Sequence, residues 1–228
     1  MRSPLFSLLA LTCLAAAAVA EEQHESFDRD PGWEGVNNRA REPRPRTITQ
    51  DFGYSARTSH AGGTPGEMGG RITPAAEPAY YARPIAARSF DDRLRASGKV
   101  FCKGPRAHVL IGFFNADTLN DWRTPNTIAL RLAVRRDRVF AFVEYATARW
   151  RAGGDNPRPF PRARDPKDGR ERPRGFPVGK AYEWSLEYDP RGNGGRGAVT
   201  ATFGGETAVC HLAPGHRGDG ATFNRPIM

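Results

Sequence analysis

"YEWSLEYDPRGNGGRGAVTATFGGETAVCHL", residues 182–212, decides the fold. Tyr182, Trp184, Leu186 and Tyr188 point one way along an extended chain, and Glu183, Ser185 and Glu187 point the other. That period of two belongs to a strand with one buried face. Asp189 to Gly195 is too rich in Pro, Asn and Gly to extend and has to turn. Alternation resumes at Gly197–Phe203, Gly204-Gly205 is a two-residue hairpin signal, and Glu206–Leu212 returns. The stretch reads as a three-stranded antiparallel meander with one face in a core.

The same reading extends outward. Further strands are predicted at Arg46–Tyr54, Glu67–Thr73, Ala79–Arg83, Lys99–Cys102, His108–Asn115, Thr127–Val134, Arg138–Ala146 and Ala181–Asp189. No window sustains a helical apolar period. The 25 glycines and 19 prolines are spread along the chain. Many short strands with such punctuation mean an all-β antiparallel two-sheet sandwich or a barrel.

The hairpin "TIALRLAVRRDRVFAFVEY", 127–145, carries the functional expectation. A one-residue slip would exchange its faces. With Arg136-Asp137 as a two-residue loop, Ile128, Leu130, Leu132 and Val134 face Tyr145, Val143, Ala141 and Val139. The opposite face then collects Ala129, Arg131 and Ala133 with Glu144, Phe142 and Phe140. One Arg and one Glu among small and aromatic residues suit the floor of a groove.

Domain limits follow from composition. Residues 1–20, with Arg2, the apolar run Leu5–Val19 and the small residues of "AVA", form a predicted signal peptide cleaved near Ala20. The run is short for a membrane span, and no other stretch could cross a bilayer. The expected localisation is secreted: periplasmic, extracellular or cell-surface. Residues 21–228 suit a single β-sandwich domain. A long segment at 147–180 is not expected to form strands; it carries ten cations against four carboxylates and supplies most of the +9 formal charge. Cys102 and Cys210 remain after cleavage. Export permits a disulfide between them, and two separate buried thiols fit as well.

Several stretches together carry a resemblance. "YEWSLEYDPRGNGGRGAVTATFGG" resembles the Trp strand, Tyr-Asp-Pro end and glycine turn of concanavalin A-like, laminin-G-like jelly-roll sandwiches. "FDRDPGWEGVNNR", "DFGYSARTSHAGG", "GEMGGRITPAAEPAYYA", "GFFNADTLNDWRTPNTIALR" and "GATFNR" resemble a group of exported bacterial proteins of little-characterised function. The sandwich superfamily holds lectins, carbohydrate-binding modules, glycosidases and polysaccharide lyases, so the fold does not choose among them. Glucanases of this fold carry Glu-x-Asp-x-Glu; here Glu183-x-Ser185-x-Glu187 lacks the middle Asp. The resemblance also implies another strand near the end, usually one pairing with the N-terminal region, and so either a domain truncated at its C-terminal end or one with an unusual end.

The expected function is carbohydrate binding, with acidic polysaccharides favoured by the charge. Arg131, Phe142 and Glu144 would floor the groove, and Asn115, Trp122, Tyr145, Arg149 and Trp150 would rim it. Aromatic rings stack on sugar faces while planar polar groups fix hydroxyls. A hydrolase is the first alternative. It needs two carboxyls about 5–5.5 Å apart for retention, or about 6.5–9.5 Å for inversion, from among Glu183, Glu187, Glu67 and Glu144. A lyase would use Tyr145, Arg149 and His60. A non-catalytic protein-interaction domain is the third class. No cofactor is expected; Asp28, Asp30, Asp117 and Asp121 would suit at most a structural calcium. The scattered histidines do not suggest zinc. "HAGGTPGEMGG" lacks the Gly-Lys-Ser/Thr ending of a phosphate loop. Nucleic acid is not an expected partner, because few aromatics interleave the basic segment.

Overall fold

The structure is a computed structural model, which describes residues 23–39, 50–73, 75, 78–119, 124–154 and 158–227. In chain order the strands are β1 (Glu34–Val36), β2 (Asp51–Ser55), β3 (Glu67–Arg71), β4 (Tyr80–Ala82), β5 (Arg88–Ser89) and β6 (Leu94–Phe101). There follow β7 (Arg106–Phe114), β8 (Thr127–Arg135), β9 (Arg138–Ala146), β10 (Arg162–Arg164), β11 (Glu171–Pro173) and β12 (Phe176–Pro177). The last are β13 (Ala181–Asp189), β14 (Ala198–Phe203), β15 (Glu206–His211), β16 (Thr222–Phe223) and β17 (Arg225–Ile227).

Two antiparallel sheets share one core. The larger runs β1-β4-β17-β7-β8-β9-β12 and the smaller β15-β14-β13-β6. The meander closes as its turn residues require. Phe203 pairs with Glu206 across Gly204-Gly205, and Asn193 and Gly194 take left-handed backbone between β13 and β14. Trp184, Leu186 and Tyr188 of β13 meet Ile128, Leu130, Leu132, Val143 and Tyr145 of the larger sheet in one buried cluster. Tyr188 is wholly buried, and its hydroxyl donates to the Phe90 carbonyl at 2.8 Å, as a phenol in an apolar interior must. Burial pushes its pKa up to about 12.

The β6 strand starts earlier than its sequence suggests. Its inward positions include Ala96 and Gly98, too small to read as a core stripe. The structure explains why: Gly98 lies opposite Trp184, and a Cβ there would come within 3.3 Å of the indole Nε1. The large ring occupies the space a side chain on β6 would need.

The 147–180 segment departs from the expected strandless loop. Its Phe160 N–H bonds the Ala141 carbonyl, and β12 pairs with Arg138 and Val139, so the segment covers the free edge of β9. Beyond that edge β10 and β11 form a small hairpin. There Arg172 grips Asp165 at 2.5 Å and Asp168 at 2.6 Å, which holds the Asp168 carboxyl below the usual range.

Near the end of the described residues, β17 lies between β4, from the N-terminal region, and β7. The predicted strand Arg46–Tyr54 is seen from Asp51; residues 46–49 lie outside the described ones. Cys102 and Cys210 are free thiols. The registers place Cys210 level with Val199, Tyr188 and Leu94, whereas Cys102 follows the far end of β6. Eight residues of strand is about 26 Å, and a disulfide needs Cα atoms within about 7 Å, so the two cannot bridge. Burial pushes the Cys102 thiol up to about 11.

No helix among the described residues is long and apolar enough to cross a membrane.

Candidate functional site

The β8–β9 hairpin adopts the register with Arg136-Asp137 as its loop, which turns its wholly apolar face inward. Ile128 pairs with Tyr145, Leu130 with Val143, Leu132 with Ala141 and Val134 with Val139. The two-residue turn needs left-handed backbone, and Arg136 adopts it with φ 56°. On the outer face the pairs are Ala129 with Glu144, Arg131 with Phe142 and Ala133 with Phe140. The two alanines are fully covered, so the floor of the central strand sits below its neighbours.

Arg131 is the unusual residue. It is only 7% exposed, on the outside of a sheet. Its Nε donates to Glu144 Oε1 at 2.7 Å, and its guanidinium carbon lies 3.8 Å from the centre of the Phe142 ring. The aromatic face and the carboxylate fix the guanidinium plane. Nη1 and Nη2 make no hydrogen bond to a described residue. Among the described residues no fully buried side-chain nitrogen or oxygen lacks a partner, so these two atoms are not fully closed off from solvent. A buried ion pair gives little net stability, because desolvation offsets the attraction. What this one provides is a rigid fork with two free N–H edges. His108 stands diagonally across on β7. Burial first, then Arg131, Arg135 and Arg106, hold its pKa below the ordinary value, against the opposing pull of Glu144.

Of the expected site residues, Arg131, Phe142 and Glu144 therefore form one cluster. Phe142 presents a face to Arg131, which makes it a platform for the guanidinium before it is one for a sugar. Of the expected rim, Tyr145 and Asn115 are turned away from them. Tyr145 is 2% exposed and points into the sandwich, on the opposite side of the sheet from Arg131, as the alternation of the strand dictates. Its oxygen accepts the Ala213 N–H and lies 2.9 Å from His216 Nδ1. Asn115 is buried and holds a turn: its Oδ1 accepts from the Asp117 N–H and from Asn224 Nδ2. Arg149 and Trp150 are exposed in the turn after β9, Arg149 at 3.9 Å from Asp219 and Trp150 at 48% exposure. Trp122 lies outside the described residues.

Each candidate acid is engaged by a basic side chain. Glu183 faces Lys99, and Glu187 faces Arg95 and Arg93, on the outer surface of the smaller sheet. Glu67 accepts from His60 at 2.7 Å and from the Ala61 N–H at 3.1 Å. Burial would raise its pKa, but these bonds outweigh it and leave the carboxyl below its ordinary value. Glu144 holds Arg131. His60 is on the β2–β3 side of the molecule with Phe101, in a different place from Tyr145 and Arg149. Among the described residues no group of three or more His, Cys, Asp or Glu is placed to hold a metal ion. Asp28, Asp30 and Asp117 instead accept bonds from Ser26, Gly32 and Asn224, and Asp121 is outside the described residues.

A larger concavity, of about 2660 Å³, separates the β2–β3 hairpin from β6 and β7. It exceeds a ligand pocket of about 300–1,000 Å³ and is a gap between a projecting hairpin and the sandwich. It reaches His108 and Leu110 but not Arg131.

Sequence reading missed His108 as a neighbour of Arg131 and the Tyr145–His216 pair. The first was accessible from the β7–β8 register; the second joins residues 71 apart and had no local signal. No family model, no curated protein and no solved structure matches the chain.

Proposed function

We propose that this chain is an exported, lectin-like protein of the concanavalin A-like sandwich type that binds a glycan on the outer face of its larger sheet. Arg131 carries the reading. A guanidinium that is buried, clamped at Nε and on its face, and open at both Nη atoms is arranged to receive a planar or paired oxygen ligand. Sugar hydroxyls and uronate carboxylates supply such oxygens. Phe140 and Phe142, both half-buried, give an apolar wall beside it. The positive balance of the chain favours acidic sugars.

A glycan array probed with the purified chain, then with Arg131→Met and Trp150→Ala, tests the proposal. Binding should fall at least tenfold in Arg131→Met and change little in Trp150→Ala, which stands beyond the end of β9. Failure of the parent chain to bind any glycan would remove the proposal.

A further inference from the structure

We infer that the groove runs from Arg131 into a second, cationic subsite at the β8–β9 turn, and that its occupant is the acidic part of an anionic polysaccharide. This rests on the glycan reading of the groove and adds where the preference for acid is set. Arg106 pairs with Arg135 across β7 and β8, and Arg135 pairs with Arg138 across β8 and β9. Three arginines therefore stand abreast on one face of three neighbouring strands, at the strand spacing of about 4.8 Å. Like charges directly opposite one another destabilise a sheet.

The surroundings do little to relieve this. Among the described residues Arg106 and Arg135 have no ion pair, and Arg138 has only Asp137 at 3.9 Å. Arg135 lies 6.0 Å above the Phe140 ring, at the limit of a cation–π contact. The same end of the sandwich gathers more cations. Arg136 forms the turn, and the Gly179 N–H bond to the Cys102 carbonyl brings Lys180 and Lys103, the residues that follow each, to this end. Arg106, Arg135 and both lysines are exposed. A polyanion lying across the row would turn the repulsion into attraction.

Position makes it part of the groove. Arg135 is four residues from Arg131 on the same face of β8, about 13 Å along a strand. Glu144 pairs with Ala129, on the side of Arg131 away from the row. Between Arg131 and the turn the paired outer positions of β7, β8 and β9 therefore carry arginines and no carboxylate, over a length greater than one sugar ring. His108 lies along the same path, and desolvation first, then Arg131, Arg135 and Arg106, hold its pKa below the ordinary value, with Glu144 opposing. A bound polyanion would cancel that field, so binding should take up a proton and strengthen as pH falls through the range of His108.

The probes are polygalacturonate, the same polymer with its carboxyls methyl-esterified, dextran sulfate and duplex DNA, titrated calorimetrically into the purified chain. The variants are Arg106→Gln/Arg135→Gln/Arg138→Gln and, as a charge-matched control, Arg158→Gln/Arg164→Gln/Lys167→Gln in the 147–180 segment. The parent should bind polygalacturonate at least tenfold more tightly than its ester. The row variant should lose that difference and melt no lower than the parent, and the control should keep it. Dextran sulfate tells a site for sulfate from one for carboxylate. Three results would overturn the inference: equal affinity for acid and ester, an unchanged row variant, or an equal loss in the control. DNA binding tighter than either acidic polysaccharide would reassign the site. If the ester binds without any acid preference, the inference falls while the glycan reading stands; if nothing binds, both fall.

Discussion

Arg131 sits where a leucine or methionine would pack at no electrostatic cost. Its Nε bond to Glu144 and its contact with Phe142 settle its orientation, and orientation is what a ligand-reading fork needs. The energetic signature is a double-mutant cycle. Arg131→Met leaves the Glu144 carboxylate without its partner, and with 21% of that side chain exposed, water replaces only part of the bond. The loss of a hydrogen bond to a charged group is about 1.5–3 kcal/mol. Arg131→Met/Glu144→Leu removes both charges and should recover that loss or exceed the parent, because replacing a buried pair by apolar side chains is often neutral or stabilising. Urea unfolding of the parent, both single variants and the double variant measures the coupling. Additive single effects would mean that the pair is not held as the geometry shows.

Among the elements, the turn after β9 is held less by the sheet than by a polar corner. Arg151 bonds Asp219 and the Gly215 carbonyl, the Ala148 N–H bonds the Gly220 carbonyl, and Tyr145 meets His216. The Tyr145 oxygen also accepts from the Ala213 N–H. Burial first, then Arg151, hold the His216 pKa below its ordinary 6.5, with Asp219 opposing. A histidine depressed on folding stabilises fully above its unfolded pKa and loses that contribution as pH falls through its folded value. Asp219, kept low mainly by its bond from Arg151, titrates at more acid pH. Between about pH 7 and pH 5 the melting temperature should therefore fall, and His216→Gln should fall less steeply over the same interval. Parallel slopes would remove His216 from the corner. This element also marks the limit of sequence reading. The β8–β9 faces were legible because a two-residue loop at Arg136-Asp137, combined with the alternation, gives a register with one wholly apolar face. The corner was not, because it depends on where a later loop crosses the end of the sandwich.

At the scale of the whole molecule, the two sides of the larger sheet are expected to do separate work. The inner side joins the smaller sheet in a continuous apolar core, and the outer side carries Arg131 and the arginine row. All ten strands expected from alternation have a counterpart. Those not foreseen, such as β1, β5, β12, β16 and β17, are two or three residues long, and their pairing is set by distant chain rather than by their own pattern. Tyr145 shows the complementary failure: as an aromatic near polar loops it read as rim, yet the alternation that built the hairpin had already turned it inward. If the division is real, stability and binding can be moved independently. Leu186 is 1% exposed and lies between the sheets, its Cδ2 close to the backbone of Gly112. Leu186→Ala should cost about 2–5 kcal/mol. For a domain of this size each kcal/mol lowers the melting temperature by about 2–4 °C, so a fall of roughly 4–20 °C is expected. At a temperature where this variant is still folded, its glycan affinity should equal the parent's, because Leu186 touches the opposite side of the sheet from Arg131. The row variant should show the reverse, with binding reduced and melting preserved. Affinity that declines in Leu186→Ala while its circular dichroism is still native would mean that the outer groove is shaped by the packing between the sheets, and the two sides would have to be treated as one site.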